Sequence, residues 1–127
     1  MQTTILLSIK PEFAESILNG TKSVEFRRVL FKSKSVKTVI LYASHPVKKV
    51  VGEFQISGTL SLDVAMLWKH TAEHAGIDES YFFSYFNGKA IGHAIKIANP
   101  RRYRRPLDLT EKYSVRRPPQ SFQYLPN

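Results

Sequence analysis

Ile17-Leu18-Asn19-Gly20-Thr21-Lys22-Ser23-Val24-Glu25-Phe26-Arg27-Arg28 holds a helix end, a turn and a strand in one short stretch. Gly20 stands where a helix would stop in a left-handed cap. Beyond it Ser23 to Val29 alternates, with Val24 and Phe26 on one face and Ser23, Glu25 and Arg27 on the other, the pattern of a half-buried strand. Upstream, Phe13, Ala14, Ile17 and Leu18 recur at helical spacing behind Pro11, which suits a first helical position, and Glu12 and Glu15 suit the first turns. Thr4 to Ile9 before them is apolar and partly β-branched, a strand.

Downstream, Phe31 to Lys37 is a basic, serine-containing turn, and Thr38 to Ser44 is an apolar run of central-strand type, closed by His45-Pro46. Val50, Gly52, Phe54 and Ile56 alternate with polar or smaller neighbours, and Gly58 is expected to bend or end that strand. Asp63 to Gly76 is predicted helical, with Val64, Leu67, Trp68, Thr71 and Ala75 in one stripe, followed by a short helix over Asp78 to Phe86. Gly88 stops it, and Ile91, His93, Ile95 and Ile97 form one face of a last strand that is expected to end at Asn99-Pro100. The tail is basic and broken by proline, yet Tyr103, Leu107, Leu109, Tyr113, Phe122 and Tyr124 mark it for packing. Helices that do not alternate regularly with strands exclude a doubly wound parallel sheet and leave an α+β fold, a small mixed β-barrel with flanking helices.

The length of 127 residues suits one domain spanning 1–127, and 43% hydrophobic residues supply a core that excludes wholesale disorder. No apolar stretch approaches the ~20 residues that span a bilayer, and the N-terminus lacks the pattern of a secretory signal. With no cysteine there is neither a disulfide framework nor a thiolate metal site, so a cytoplasmic setting is expected and no membrane partner. Nineteen Lys and Arg against ten Asp and Glu give +9, a field that favours polyanions. The charge is segregated into two basic ends around a near-neutral middle, and the ends are expected to converge on one surface.

Chemistry concentrates at the opening stretch. A turn at Gly20 and Thr21 with free N–H groups, then Lys22, Glu25 and Arg27, could grip an anionic or base-like ligand, although pattern alone favours a solvated strand face. Arg101-Arg102-Tyr103-Arg104-Arg105 offers guanidinium forks for phosphate and a tyrosine for stacking, so Arg102, Tyr103 and Arg104 are candidate single-strand contacts, with a solvated loop as the alternative. His70 and His74 are four apart, but Thr71 stands at the glutamate position of a zinc-protease motif, so surface histidines and no metal are expected. Trp68 and the run Tyr81, Phe82, Phe83, Tyr85, Phe86 read as packing. With no P-loop and no dinucleotide motif, no cofactor is expected.

The order Gly20, Lys22, Glu25, Arg27 matches the G-x-K-x-x-E-x-R signature of the ASCH domain, a branch of the PUA-like superfamily. Leu7-Ser8-Ile9-Lys10-Pro11, Tyr42-Ala43-Ser44, Pro46-Val47-Lys48, Val51-Gly52-Glu53-Phe54, Asn99-Pro100-Arg101 and Pro118-Pro119-Gln120-Ser121-Phe122 resemble further landmarks of the family, covering nearly the whole chain. The resemblance implies a small barrel with a cleft at its mouth, binding RNA or a modified nucleotide, in a translation or transcription context. In that cleft Glu25 would accept from a base edge, Arg27 would orient Glu25 or hold phosphate, and Lys22 would neutralise phosphate. Similar proteins include ribonucleases, and amidohydrolases that deacetylate N4-acetylcytidine with a Lys-x-x-Thr pair. Aligned on Lys22, the threonine slot holds Glu25, so an amidohydrolase here would need Glu25 as general base and Lys22 to polarise the carbonyl.

Overall fold

A computed structural model describes residues 2–126. The chain runs β1 (Thr3–Ile9), α1 (Pro11–Leu18), β2 (Val24–Arg27), β3 (Val36–Ala43), β4 (Lys49–Asp63), α2 (Val64–Thr71), α3 (Glu79–Tyr85), β5 (Ile91–Leu107), α4 (Leu109–Tyr113) and β6 (Phe122–Leu125). All six strands lie in one sheet of order β2-β5-β4-β3-β1-β6, in which β1 and β3 pair parallel and every other pair is antiparallel. Residues alternate across β1: Ile5, Leu7 and Ile9 face a core under α1 that also takes Ile17, Leu41 and Phe54, while Leu6 faces an outer core with Ile40, Val50 and Leu109 of α4. A third cluster joins Val24 and Phe26 of β2 to Leu67 of α2 and to Phe82 and Phe86 of α3.

Two strands run past the punctuation at which the sequence would bend or end them. β4 continues through Gly58 to Asp63, because the glycine region takes a bulge: Ile56 faces Ile97 and Gly58 faces Lys96, leaving Ser57 as the extra residue. β5 continues through Asn99-Pro100 to Leu107. Glu53 faces Arg101 and Gln55 faces Ala98, so Phe54 alone opposes Asn99 and Pro100, and Asn99 takes φ 50° at this second bulge. A bulge is a place where a sheet tolerates a proline without its donor. The predicted helix over Asp63 to Gly76 is shorter than its apolar stripe: α2 stops at Thr71, a 3-10 turn covers Ala72–His74, and Gly76 turns out at φ 66°.

Bulges bend and twist strands, and the sheet curls without closing into the expected barrel. β2 and β6 remain its two edges. Where a closing ladder would run, a side chain bridges instead: Arg27 Nη2 donates to Ser121 Oγ, just ahead of β6, at 2.7 Å.

Candidate nucleic-acid cleft

Local structure explains why Gly20 and Thr21 precede the site without joining it. The N–H groups that the turn was expected to present are satisfied by the helix itself: Gly20 N reaches Ile17 O, and Thr21 N and Lys22 N both reach Ser16 O. Gly20 at φ 87° allows this C-terminal cap. Thr21 is exposed, with its hydroxyl 2.8 Å from Asn19 Oδ1, and neither residue lines the cleft. The turn delivers Lys22 inward, and Ser23 N bonds His74 O to lock the strand against the end of the α2 segment.

The strand face carrying Glu25 and Arg27 is not solvated. Lys22 is 2% and Glu25 4% exposed. Lys22 Nζ donates to Ala75 O at 2.7 Å, stands 3.8 Å from Glu25 Oε1, and lies 5.2 Å and 5.1 Å from the ring centres of Phe13 and Phe26. Gly76 must be glycine for this, since a Cβ there would come within 2.7 Å of Lys22 Cβ. Arg27 Nη1 donates to Glu25 Oε2 at 3.2 Å, and its Nε is buried without a partner.

Attraction between charges about 4 Å apart is worth ~4 kcal/mol at an effective dielectric near 20, whereas burying each ion costs several kcal/mol. Burial wins: it pushes the Glu25 carboxyl up against the pull of Lys22 and Arg27, and pushes Lys22 down against the pull of Glu25. Lys22 is thus held in place, desolvated and directed at the Ala75 carbonyl and the Glu25 carboxyl.

The cleft above these residues has a volume of about 150 Å³. One wall is the end of β1 with Ser8, Ile9 and Lys10, the floor is Lys22, Glu25 and Arg27, and the far wall is α3 with Tyr81 and Tyr85. Phe13, Phe26 and Ile77 complete it. Lys10 Nζ donates to Tyr81 Oη at 3.1 Å, and Tyr85 Oη donates to the Phe26 carbonyl at 3.1 Å. Burial raises the Tyr85 hydroxyl pKa, opposed by the nearby Arg27 charge, so it remains a neutral donor. A cavity of about 150 Å³ accepts a benzene-sized ring, and this one offers aromatic walls with a carboxylate and a guanidinium on the floor.

Tyr81 and Tyr85 are the site residues that sequence reasoning assigned to packing. The signal was present, because a spacing of four puts Tyr81 and Tyr85 on one helical face and Phe82 and Phe86 on another. Only the second pair is buried in the core.

The arginine run lies elsewhere and is divided. Arg102 points to α1, where it holds Glu15 through two bonds of 2.8 and 2.7 Å. Arg101 and Tyr103 both donate to Glu53 Oε1, at 2.9 and 2.8 Å. Burial, with help from Tyr113 and Glu53, raises the Tyr103 hydroxyl pKa. Arg104 borders an outer groove of about 420 Å³ with Arg105 and Lys112. Lys32, Lys34 and Lys37 line another groove, of about 350 Å³, that shares no residue with it. His93 is half-buried with Nδ1 2.7 Å from Ser61 Oγ, and His70 Nδ1 lies 2.8 Å from its own helix carbonyl at Met66. Among the described residues no helix is long and apolar enough to cross a membrane.

This open, curled sheet with a Lys-Glu-Arg cleft defines a family: residues 7–107 match the model of the ASCH domain, and the chain belongs to it. Among its relatives is an ASCH domain-containing ribonuclease of Zymomonas mobilis, 33% identical over 125 residues that cover 94% of this chain and 82% of that protein. The crystal structure of ASCH from Zymomonas mobilis superposes with a TM-score of 0.87 at 31% identity, covering 98% of this chain and 88% of the other. The large ribosomal subunit protein uL22 of Ureaplasma parvum is 31% identical over 123 residues, 96% of this chain, but the chain spans only 39% of that protein's length.

Proposed function

We propose that this ASCH domain acts on RNA, holding one nucleobase of a single strand, or a modified nucleotide, in the cleft between β1 and β2. The observation that carries the reading is the pairing of a ring-sized volume with a buried acceptor, Glu25, oriented by Arg27 at 3.2 Å. Unstacked bases are recognised by stacking on aromatic side chains and by hydrogen bonds along their edges. Tyr81, Tyr85 and Phe13 supply the first, Glu25 accepts from a base amine or imino group, and the unpartnered Nε of Arg27 offers a further donor. Lys22 acts through Glu25 as a positioning residue, fixing the carboxylate rather than touching phosphate.

A second reading, RNA cleavage, is favoured by the name of the Zymomonas mobilis relative, which shares nearly the full length of this chain. The amidohydrolase reading has less behind it. The threonine slot holds Glu25, Thr21 and Ser23 do not line the cleft, and a lysine committed to Ala75 O is poorly placed to polarise an acyl carbonyl.

The test compares wild type with Glu25→Gln across single-stranded RNA oligomers, labelled RNA for cleavage and a panel of N-acylated nucleosides. The substitution keeps size and one acceptor, so selectivity among bases is expected to change while overall RNA affinity persists. Deacylation by wild type that collapses about 100-fold or more in Glu25→Gln with affinity intact would instead make Glu25 a general base.

A further inference from the structure

The outer groove has no part in the cleft. Ile40, Glu53 and Arg101 face one another across β3, β4 and β5, and Leu6 faces Ile40, which puts them on the side of the sheet that α4 covers. The cleft opens on the α1 side, through Ile9 and Phe13. Four cations border the outer groove, Arg101, Arg104, Arg105 and Lys112, against one carboxylate, Glu53. That carboxylate is already engaged by Arg101 at 2.9 Å and the Tyr103 hydroxyl at 2.8 Å. Among the described residues, Arg104, Arg105 and Lys112 form no ion pair. The arginines stand on β5 and the lysine on α4, so rigid backbone holds them around Tyr103 and Tyr113.

Among the described residues this positive charge secures no ion pair of the fold, so removing it would break none. Guanidinium forks match phosphate oxygens, and bordering tyrosines suit a strand whose bases are unstacked. We infer that Arg104, Arg105 and Lys112 form a second contact for single-stranded RNA, one that grips the phosphate backbone on the sheet face opposite the cleft. The inference rests on the RNA reading of the cleft and adds to it: base choice is made at Glu25, and sequence-independent affinity comes from the other side. A nucleoside fills the cleft alone, whereas an oligomer long enough to pass round the sheet engages both.

The experiment is a salt titration of binding to a nucleoside monophosphate and to a 20-nucleotide single-stranded RNA, for wild type and for the triple variant Arg104→Ala, Arg105→Ala, Lys112→Ala. All three side chains are exposed, so the variant should fold, and circular dichroism checks it. Each phosphate neutralised contributes about 0.7 to the log–log salt slope for a single strand. The variant should therefore lose about 2 from the slope for the 20-mer, with a loss of about 10-fold or more in low-salt affinity that is alike for all sequences. Monophosphate binding should not change. An unchanged 20-mer slope overturns this inference and leaves the cleft reading standing, as does a slope lost instead in Lys32→Ala, Lys34→Ala, Lys37→Ala. Loss of polyglutamate binding with RNA binding retained would make the groove a protein contact and overturn it too. A wild type that binds neither RNA nor nucleotide fails both readings.

Discussion

The cleft and the arginine run contain the same kinds of side chain under opposite conditions. In the cleft, Lys22, Glu25 and Arg27 are desolvated and committed to each other, so their charges are costly and their geometry is fixed. On β5, Arg101 and Arg102 pair with Glu53 and Glu15 through exposed guanidiniums, which water screens. Buried charges are expensive unless paired, and a fold that retains them fixes a carboxylate in place. Exposed charges are cheap and act through their number. The first arrangement suits discrimination between ligands and the second suits affinity for polyanions.

The largest consequence of that contrast is for stability. Lys22→Ala leaves a buried carboxylate with one partner fewer and opens space between Phe13 and Phe26, so urea unfolding should show a loss of about 3–5 kcal/mol. Lys22→Met, which fills the volume without the charge and lets Glu25 take up a proton, should lose less. Equal losses would mean that the charge is not what matters.

The next effect tests the joint between the regions. Gly52 lies under β5 and α1, and a Cβ there would fall 2.6 Å from the Arg101 carbonyl and 2.7 Å from Leu18 Cδ2. Because a backbone atom cannot yield as a side chain can, Gly52→Ala should cost about 1–3 kcal/mol. A neutral result would show that β5 is not held tightly against β4 there.

A pH series separates the regions further. Glu25 is raised from its ordinary 4.5, so the folded state binds the proton more tightly than the unfolded state does. The stability this contributes is complete below 4.5 and is lost as pH rises through the higher folded value. Lys22 is lowered from 10.5, so its contribution is complete above 10.5 and is lost as pH falls through its lower folded value. Glu25→Gln should abolish the acid-side decline, seen as a flatter unfolding midpoint from pH 4.5 upward. Persistence of the decline would assign it to another carboxyl. Smallest of all, Arg102→Ala breaks only an exposed pair with Glu15 and should leave the unfolding midpoint unchanged at moderate salt.

Legibility in the sequence followed the same division. Local rules found β1, α1, β3, the cap at Gly20 and the starts of α2 and α3, because those depend on neighbours within one turn or one strand. They misread Asn99-Pro100 as a strand end, and at Gly58 they left open whether the strand bends or ends, since a bulge needs a partner strand that local pattern does not include. Alternation correctly set Glu25 and Arg27 apart from Val24 and Phe26, but by itself it favoured a solvated face for them. A short edge strand facing a side-chain-lined gap buries both of its faces. The signature order Gly20, Lys22, Glu25, Arg27 located the cleft floor, whereas its walls come from Lys10, Phe13, Tyr81 and Tyr85, far apart in sequence. For the arginine run, composition gave the charge, but two acidic partners decided which cations stay free.

Whether the cleft takes a base is the most direct test of its role. An NMR titration of the 15N-labelled protein with a short single-stranded RNA should shift the amides of Glu25, Arg27, Tyr81 and Tyr85 in a saturable manner, and Glu25→Gln should change which base at the bound position gives the strongest response. Saturable binding that leaves those four amides unmoved, with the same base preference in both proteins, would contradict it.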